Sequence, residues 1–136
     1  MSAILRIAAE LHNLAAVRRF VSEEAEGLQT GRATIEDMIQ AVDESVTNVI
    51  KHGYEGQPGT IEIEVGRVGD DLVVRIRDYA PIFDPTTYPS PDLTLPLERR
   101  PFGGLGIHLS RECTDAVIHR VAPDGANELT LIKKAF

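Results

Sequence analysis

The chain has 136 residues, of which 43% are hydrophobic and 26% charged, and this size and composition are typical of one globular domain. The formal net charge of −7 disfavours binding to nucleic acid or to anionic lipid, and the absence of tryptophan removes the residue that stacks best on single-stranded bases. A single cysteine, and no apolar run near the ~20 residues of a membrane span, predict a cytoplasmic protein without disulfides.

The first half of the chain predicts one strand and two helices. Residues 3–8 read as a short strand, and apolar side chains recur at helical spacing from Leu11 to about Leu28. A second helix is predicted from an N-cap at Thr34 to about His52. The apolar side of this helix carries Ile35, Met38, Ile39, Val42, Val46, Val49 and Ile50. Its opposite side carries Asp37, Glu44, Asn48 and Lys51.

The second half predicts two hairpins separated by a long loop and a helix. The hairpin strands are 60–68 with 72–77, and 116–121 with 128–134. Six of the eight prolines fall in residues 79–101, which form the loop, and a helix follows from about Leu105 to Cys113. The order β-α-α-β-β-loop-α-β-β predicts an α+β fold. We expect a two-layer sandwich whose mixed, mainly antiparallel sheet has its helices on one face.

Glu44 and Asn48 lie one turn apart on the polar side of the second helix. Such a pair most often belongs to a solvated helix surface. A carboxylate beside a carboxamide can also supply a general base next to an oxygen ligand for a hard cation such as Mg²⁺. The residues alone leave both interpretations open.

Two further features carry candidate chemistry. Glycines let backbone N–H groups approach an anion at a helix N-terminus, and the three between the loop and the third helix form either a phosphate site or a hinge without a ligand. They are Gly103, Gly104 and Gly106. Asp78 ends a predicted strand. It is either a turn former that caps local N–H groups or a buried carboxylate that accepts a hydrogen bond from the amine of a base.

Four separated segments, taken in chain order, resemble one family. They are AVDESVTNVIKHGY, IRDYAPIFDP, FGGLGIHLSRECTDAV and NELTLIK. In this order they resemble the single-domain anti-sigma factors with serine kinase activity, which belong to the ATPase superfamily of gyrase, Hsp90, histidine kinases and MutL. The resemblance extends from the first helix to the last strand and implies one histidine kinase-like ATPase domain over residues 1–136.

The resemblance implies a role for each candidate residue in binding ATP and Mg²⁺. Glu44 is implied to be the general base, Asn48 the Mg²⁺ ligand, and Asp78 the aspartate that recognises the adenine amino group. The glycines implied to pass close to the phosphates are Gly103, Gly104 and Gly106.

The ATP lid is implied to span residues from about 84 to 103, where Arg99 and Arg100 are candidates for phosphate contact because of their charge. The chain departs from the family pattern at Ala80, where a glycine is usual, and at Ile82, where a further glycine is common. Added side chains near the base are expected to weaken nucleotide binding without abolishing it.

The resemblance implies a serine/threonine kinase whose substrate is a STAS-domain anti-sigma-factor antagonist. The alternative is a binding module that sequesters a sigma factor or switches a partner without phosphorylating it. A sensor histidine kinase fragment is disfavoured, since 136 residues leave no room for a preceding pair of dimerisation helices. The relatives also imply a homodimer, with a partner surface that includes the lid and the first helix at Arg18 and Arg19.

Three histidines and the single cysteine are not expected to bind a metal ion. His52, His108 and His119 do not have the spacing of a metal site. His52 is expected to be structural or to act on neighbouring site residues. Cys113 is expected to be a small core residue.

Overall fold

The computed structural model describes residues 2–84 and 112–136. The helices and strands are β1 (Ala3–Ala8), α1 (Leu14–Gly27), α2 (Arg32–Asn48), β2 (Thr60–Val68), β3 (Asp71–Asp78), β4 (Ala116–Val121) and β5 (Asn127–Lys134). A 3₁₀ turn at Leu11–Asn13 precedes α1, and a π-helical turn at Val49–Gly53 follows α2. Almost all of the predicted lid lies outside the described residues, as do Arg99, Arg100 and the three glycines. Only Glu112 and Cys113 of the predicted third helix are described, and both are helical.

The five strands form one sheet in the order β1-β2-β3-β5-β4, and every described strand pair is antiparallel. Both predicted hairpins are present, with ends within one residue of the predicted ones. Alternation along β2 buries Ile61 and Ile63 and leaves Glu62 and Glu64 on the other face. Both helices pack on the face with the isoleucines, so the α+β two-layer sandwich is confirmed.

The core lies between the sheet and the two helices. The apolar side of α2 is buried as predicted, and α1 contributes Val17, Val21 and Ala25. Fully buried side chains from both layers include Met38, Ile61, Leu72, Ile76 and Leu131. Cys113 packs against this core, and burial raises the pKa of its thiol, so the sulfur stays protonated and unreactive.

Helix α2 begins at Arg32, earlier than the sequence predicts, because only a short turn separates it from α1. Gln29 has a φ of +64°, and the Thr30 N–H donates to the Ala25 carbonyl at 3.0 Å, which are the features of a Schellman ending to α1. Gly31 is then the extended N-cap residue, and its carbonyl accepts the Ile35 N–H at 3.0 Å. Thr34 therefore lies inside the helix, and the predicted N-cap at that position was wrong.

The face of the sheet away from the helices carries a ladder of ion pairs. Arg6 pairs with Glu62 at 2.9 Å, and Arg120 pairs with Glu128 at 2.6 Å. The arginines are exposed, but the glutamates are largely covered, with the Glu128 side chain only 8% exposed, so the pairs neutralise carboxylates that the sheet partly removes from water. Among the described residues, no helix is long and apolar enough to cross a bilayer.

Candidate functional site

Glu44 and Asn48 lie on the last two turns of α2, and both are half-buried. They are therefore not on a fully solvated helix surface, which was the first of the two sequence interpretations. Asn48 is the last residue of the α-helix, immediately before the chain widens into the π-helical turn. Both side chains therefore lie just before this turn.

The π-helical turn is closed by the N–H of Tyr54, which donates to the Val49 carbonyl at 2.9 Å. Turns of this width within helices occur frequently at functional sites. The turn carries His52, and burial lowers the pKa of its imidazole, with the neighbouring charge of Lys51 adding to the effect. His52 is therefore neutral at physiological pH, in line with the structural role expected for it.

Asp78 is the last residue of β3, and it is buried with 6% of its surface exposed. It shares the helix-facing side of the strand with Ile76. Its Oδ1 accepts the Ala80 N–H at 3.0 Å and the Asn127 Nδ2 at 3.0 Å. Burial raises the pKa of the Asp78 carboxyl, and these two hydrogen bonds partly oppose the rise. Both sequence interpretations hold in part, because Asp78 caps a local N–H and is also a buried carboxylate.

Two contacts join the end of α2 to the loop after Asp78. The Tyr54 hydroxyl accepts the Tyr79 N–H at 2.8 Å and donates to the Thr60 carbonyl at 2.7 Å. A Cβ atom placed on Gly53 would lie 3.2 Å from the Ala80 Cβ, so these residues pack closely. The structure therefore brings the end of the helix that bears Glu44 and Asn48 against the chain that leaves Asp78.

Ala80, the departure from the family pattern, is buried with 7% of its surface exposed. Its methyl group lies next to Gly53. A methyl group on residue 53 would crowd the one on Ala80, since the two Cβ atoms would be 3.2 Å apart. The glycine at position 53 accommodates the alanine at position 80. The backbone of this loop is thereby compatible with an alanine, which the sequence alone did not indicate.

Asn127 and His119 form a hydrogen-bond network around Asp78 that sequence reasoning missed. Asn127 is the register partner of Asp78 across β3 and β5. His119, on β4, places Nε2 2.9 Å from the Asn127 Oδ1, and its side chain is 6% exposed. An asparagine at the start of a strand was a visible signal, but its pairing with an aspartate 49 positions away was not.

The described residues contain no group of three or more histidine, cysteine, aspartate or glutamate side chains that could hold a metal ion. Mg²⁺ in phosphoryl-transfer sites needs fewer protein ligands, since it is commonly held by one or two side chains, substrate phosphates and water. The carboxamide oxygen of Asn48 is a hard donor of the required kind. The donor set is therefore compatible with Mg²⁺ that arrives with a nucleotide.

Comparison with known proteins gives consistent matches. The profile of the family described as histidine kinase-like ATPase domain matches residues 7–133. The serine-protein kinase RsbW of Bacillus cereus (strain Q1) is 29% identical over 117 residues, which cover 83% of this chain and 73% of the relative. The serine-protein kinase RsbW of Bacillus mycoides (strain KBAB4) is 28% identical, with the same coverage of both chains.

A solved structure also matches over nearly the whole chain. The crystal structure of the RsbU and RsbW domains of Rv1364c from Mycobacterium tuberculosis superposes with a TM-score of 0.71 and 15% sequence identity. The match covers 99% of this chain and 32% of that chain, so this chain spans about a third of the length of that relative. At this identity the match shows a shared fold.

Proposed function

Because the chain belongs to the family of histidine kinase-like ATPase domains, we propose that it is an ATP-binding anti-sigma regulatory factor that phosphorylates a serine or threonine of a protein partner. The relatives named serine-protein kinase support this activity. In the proposal, residues 1–136 form one such domain, and residues from about 84 to 103 form its lid.

The observation that carries the proposal is the junction between the end of α2 and the end of β3. The Tyr54–Tyr79 hydrogen bond and the Gly53–Ala80 contact hold these two ends together. A half-buried carboxylate and carboxamide are thus carried by the helical segment whose end contacts the chain leaving the buried carboxylate of Asp78. An ATP site needs polar groups at two places, since one set of residues must hold the phosphates and the metal while another recognises adenine.

Asp78 is proposed to recognise adenine. Its carboxylate is buried, so a hydrogen bond from the adenine amino group would form with little competition from water. Asn48 is proposed to hold the Mg²⁺ that accompanies ATP, and that ion, when bound, neutralises charge on the phosphates. The residues proposed to contact the phosphates are Gly103, Gly104, Gly106, Arg99 and Arg100.

Glu44 is proposed to be the general base. Its carboxylate would accept the proton of the partner's hydroxyl as that oxygen bonds to the γ-phosphorus of ATP. The bond between the γ-phosphorus and the bridging oxygen then breaks, and ADP leaves with that oxygen. The position of Glu44 one turn before Asn48 would place the attacking hydroxyl next to the transferred phosphoryl group.

The proposed partner is a STAS-domain anti-anti-sigma factor, and a sigma factor is a second proposed partner. We also propose a homodimer, which light scattering at micromolar concentrations would test. A monomer across that range would contradict the dimer while leaving the ATP site unaffected.

The second candidate function is a non-catalytic binding module with the same fold. Ala80 favours it, because a methyl group occupies a position near the proposed adenine site where the family usually has glycine. In this function the protein would hold its partner in the presence of ATP and leave it unmodified.

Intact-mass spectrometry distinguishes the two functions. The purified protein is incubated with Mg²⁺, ATP and a candidate STAS-domain partner, with Glu44→Gln as the matched control. A kinase adds the mass of one phosphoryl group to the partner, and the control adds it far more slowly. Formation of a stable complex without any mass change would refute the kinase and support the binding module.

A further inference from the structure

Two side chains near the end of β3 have no role in the proposed function. Asn127 begins β5 and is buried, and His119 on β4 is in contact with it. Both lie on the helix-facing side of the sheet, the side that Asp78 faces. Their hydrogen bonds connect three strands at the point where the chain leaves β3.

Asn127 uses its whole carboxamide group in this network. The two hydrogens of Nδ2 are shared among three acceptors, the Asp78 Oδ1 at 3.0 Å, the Ala80 carbonyl at 3.2 Å and the Pro81 carbonyl at 3.3 Å. The Oδ1 atom accepts the Phe83 N–H at 3.1 Å. One side chain therefore holds both the carboxylate of Asp78 and the four residues that follow Tyr79.

His119 supports the orientation of that carboxamide, which the Phe83 N–H and the acceptors around Nδ2 already define. The Asn127 Oδ1 can only accept hydrogen bonds, so the His119 Nε2, 2.9 Å away, must carry a hydrogen and donate it. A flipped carboxamide would direct its NH₂ group at the Phe83 N–H and its oxygen at the Asp78 carboxylate and the two backbone carbonyls, which are all acceptors. The other ring nitrogen of His119 lies 3.8 Å from the Asp84 Oδ1, which further constrains the ring.

We propose that Asn127, held in place by its contact with His119, is a positioning residue for Asp78 and thereby sets the preference of the site for adenine over a 6-oxopurine. The inference rests on the proposed function, in which Asp78 accepts the adenine amino group. Asn127 engages Oδ1, so Oδ2 is the oxygen assigned to the base. A 6-oxopurine presents a carbonyl oxygen to the same carboxylate, and two acceptors facing each other disfavour binding.

A merely structural role for the network makes a different prediction. If Asn127 and His119 only stabilise the fold, their loss lowers the free energy of unfolding and leaves the relative affinities for the two bases unchanged. If they position Asp78, their loss reduces the discrimination between the bases. The ratio of the dissociation constants of inosine diphosphate and ADP is therefore the informative quantity.

The test uses calorimetric titration of the full chain with ADP and with inosine diphosphate, both with Mg²⁺. The variants are Asn127→Ala, His119→Leu and His119→Gln, of which the last keeps an N–H donor. Arg120→Gln is the matched control, since Arg120 is next to His119 on β4 but lies on the opposite face. Hydrogen exchange at the Ala80 and Phe83 amides, measured without nucleotide, reports on the network itself.

We expect wild type, His119→Gln and Arg120→Gln to prefer ADP, and we expect the preference to fall by about tenfold in Asn127→Ala and in His119→Leu, the size of effect of a lost hydrogen bond to a charged group. Exchange at both amides should accelerate in the same two variants. An unchanged ratio in a folded His119→Leu or Asn127→Ala variant would overturn this inference alone. Equal binding of the two nucleotides by wild type would overturn the proposed role of Asp78, and this inference with it.

Discussion

The hydroxyl oxygen of Tyr54 lies 2.8 Å from the backbone nitrogen of Tyr79 and accepts its hydrogen. This bond links the turn that ends the helical segment of Glu44 and Asn48 to the residue that follows Asp78. The same hydroxyl donates to the Thr60 carbonyl at the start of β2, so one buried phenol connects three elements. Burial raises the pKa of the Tyr54 phenol, which keeps the hydroxyl protonated and able to donate.

Tyr54→Phe should lower the free energy of unfolding by about 1–3 kcal/mol, because it leaves the Tyr79 N–H and the Thr60 carbonyl without their partner. Urea denaturation measures the change. Tyr79→Phe is the matched control, since Tyr79 is 47% exposed and its hydroxyl bonds Glu62 and Asp124 at the solvated surface, and we expect it to change stability by no more than about 0.5 kcal/mol. Equal effects of the two substitutions would show that the buried hydroxyl is not a structural link.

The contact between Gly53 and Ala80 should appear as an interaction energy. Alanine in a helix is favoured over glycine by about 1 kcal/mol, but a Cβ at position 53 would lie 3.2 Å from the Ala80 Cβ and crowd it. We expect Gly53→Ala to be destabilising in wild type and neutral or stabilising in the Ala80→Gly background, with a coupling of about 0.5–3 kcal/mol.

Gly27→Ala is the control for this double-mutant cycle, because nothing lies within 4 Å of a Cβ at that helical glycine. It should stabilise the protein equally in both backgrounds. If Gly53→Ala has the same effect with and without the Ala80 methyl group, the two residues are not in energetic contact. The Ala80→Gly variant should also bind nucleotide at least as tightly as wild type.

Asp78 should make stability depend on pH in a defined direction. Burial raises the pKa of its carboxyl, so the folded state binds this proton more tightly than the unfolded chain does. The associated stability is fully present below about pH 4, the ordinary range of aspartate, and is lost as the pH rises through the folded-state pKa. Asp78→Asn remains neutral, and its side-chain oxygen can still accept the hydrogen bonds from Ala80 and Asn127.

We therefore expect the stability of Asp78→Asn relative to wild type to increase as the pH rises from about 4 towards neutrality. Denaturation at a series of pH values measures this difference and cancels the contributions of other carboxylates. The same variant should bind ADP more weakly, because the charged acceptor for the adenine amine is lost. A difference that stays constant with pH would contradict the buried, raised carboxyl.

The partner surface expected on α1 is best tested through Arg19. The Arg18 Nε lies 2.7 Å from the Asp43 Oδ1 on α2, so reversing the charge of Arg18 would also disturb the helix pair. Arg19→Glu should slow association with the STAS-domain partner and weaken its salt dependence, with little change in thermal stability. Arg32→Glu makes the same charge change at the start of α2 and is the control, since the ion pair of Arg32 with Glu36 is within one helix and largely exposed. Stopped-flow association at two salt concentrations measures both, and unchanged kinetics for Arg19→Glu would remove α1 from the surface.

The local features of the site could be predicted from the sequence. Alternation predicted that a strand ends close to Asp78, and helical spacing predicted that Glu44 and Asn48 share one side of a helix. These patterns depend on residues a few positions apart. The two-layer fold followed from the order of the elements, since hairpins beside amphipathic helices bury both apolar faces in one way.

The parts of the site that depend on contacts between distant segments could not be predicted. The register of β3 and β5 pairs Asp78 with Asn127, and no local pattern encodes that register. The widened turn after α2 forms where Tyr54 reaches across to Tyr79, which is a tertiary interaction. The misplaced N-cap at Thr34 has a similar origin, because a glutamine rather than a glycine adopts the left-handed conformation before it.

Transfer of phosphate from ATP to the STAS-domain partner, measured in a single turnover beside ATP affinity, tests the central claim most directly. We expect Glu44→Gln to bind Mg²⁺ and ATP as wild type does and to transfer about 10²–10⁴-fold more slowly, since only the base is lost. Asn48→Ala should instead lose the Mg²⁺-dependent part of the ATP affinity. Asp37→Asn, on the same polar side of α2 but farther from its end, is the control and should match wild type. Wild-type affinity and wild-type transfer in both site variants would contradict the assignment of the end of α2 as an ATP site.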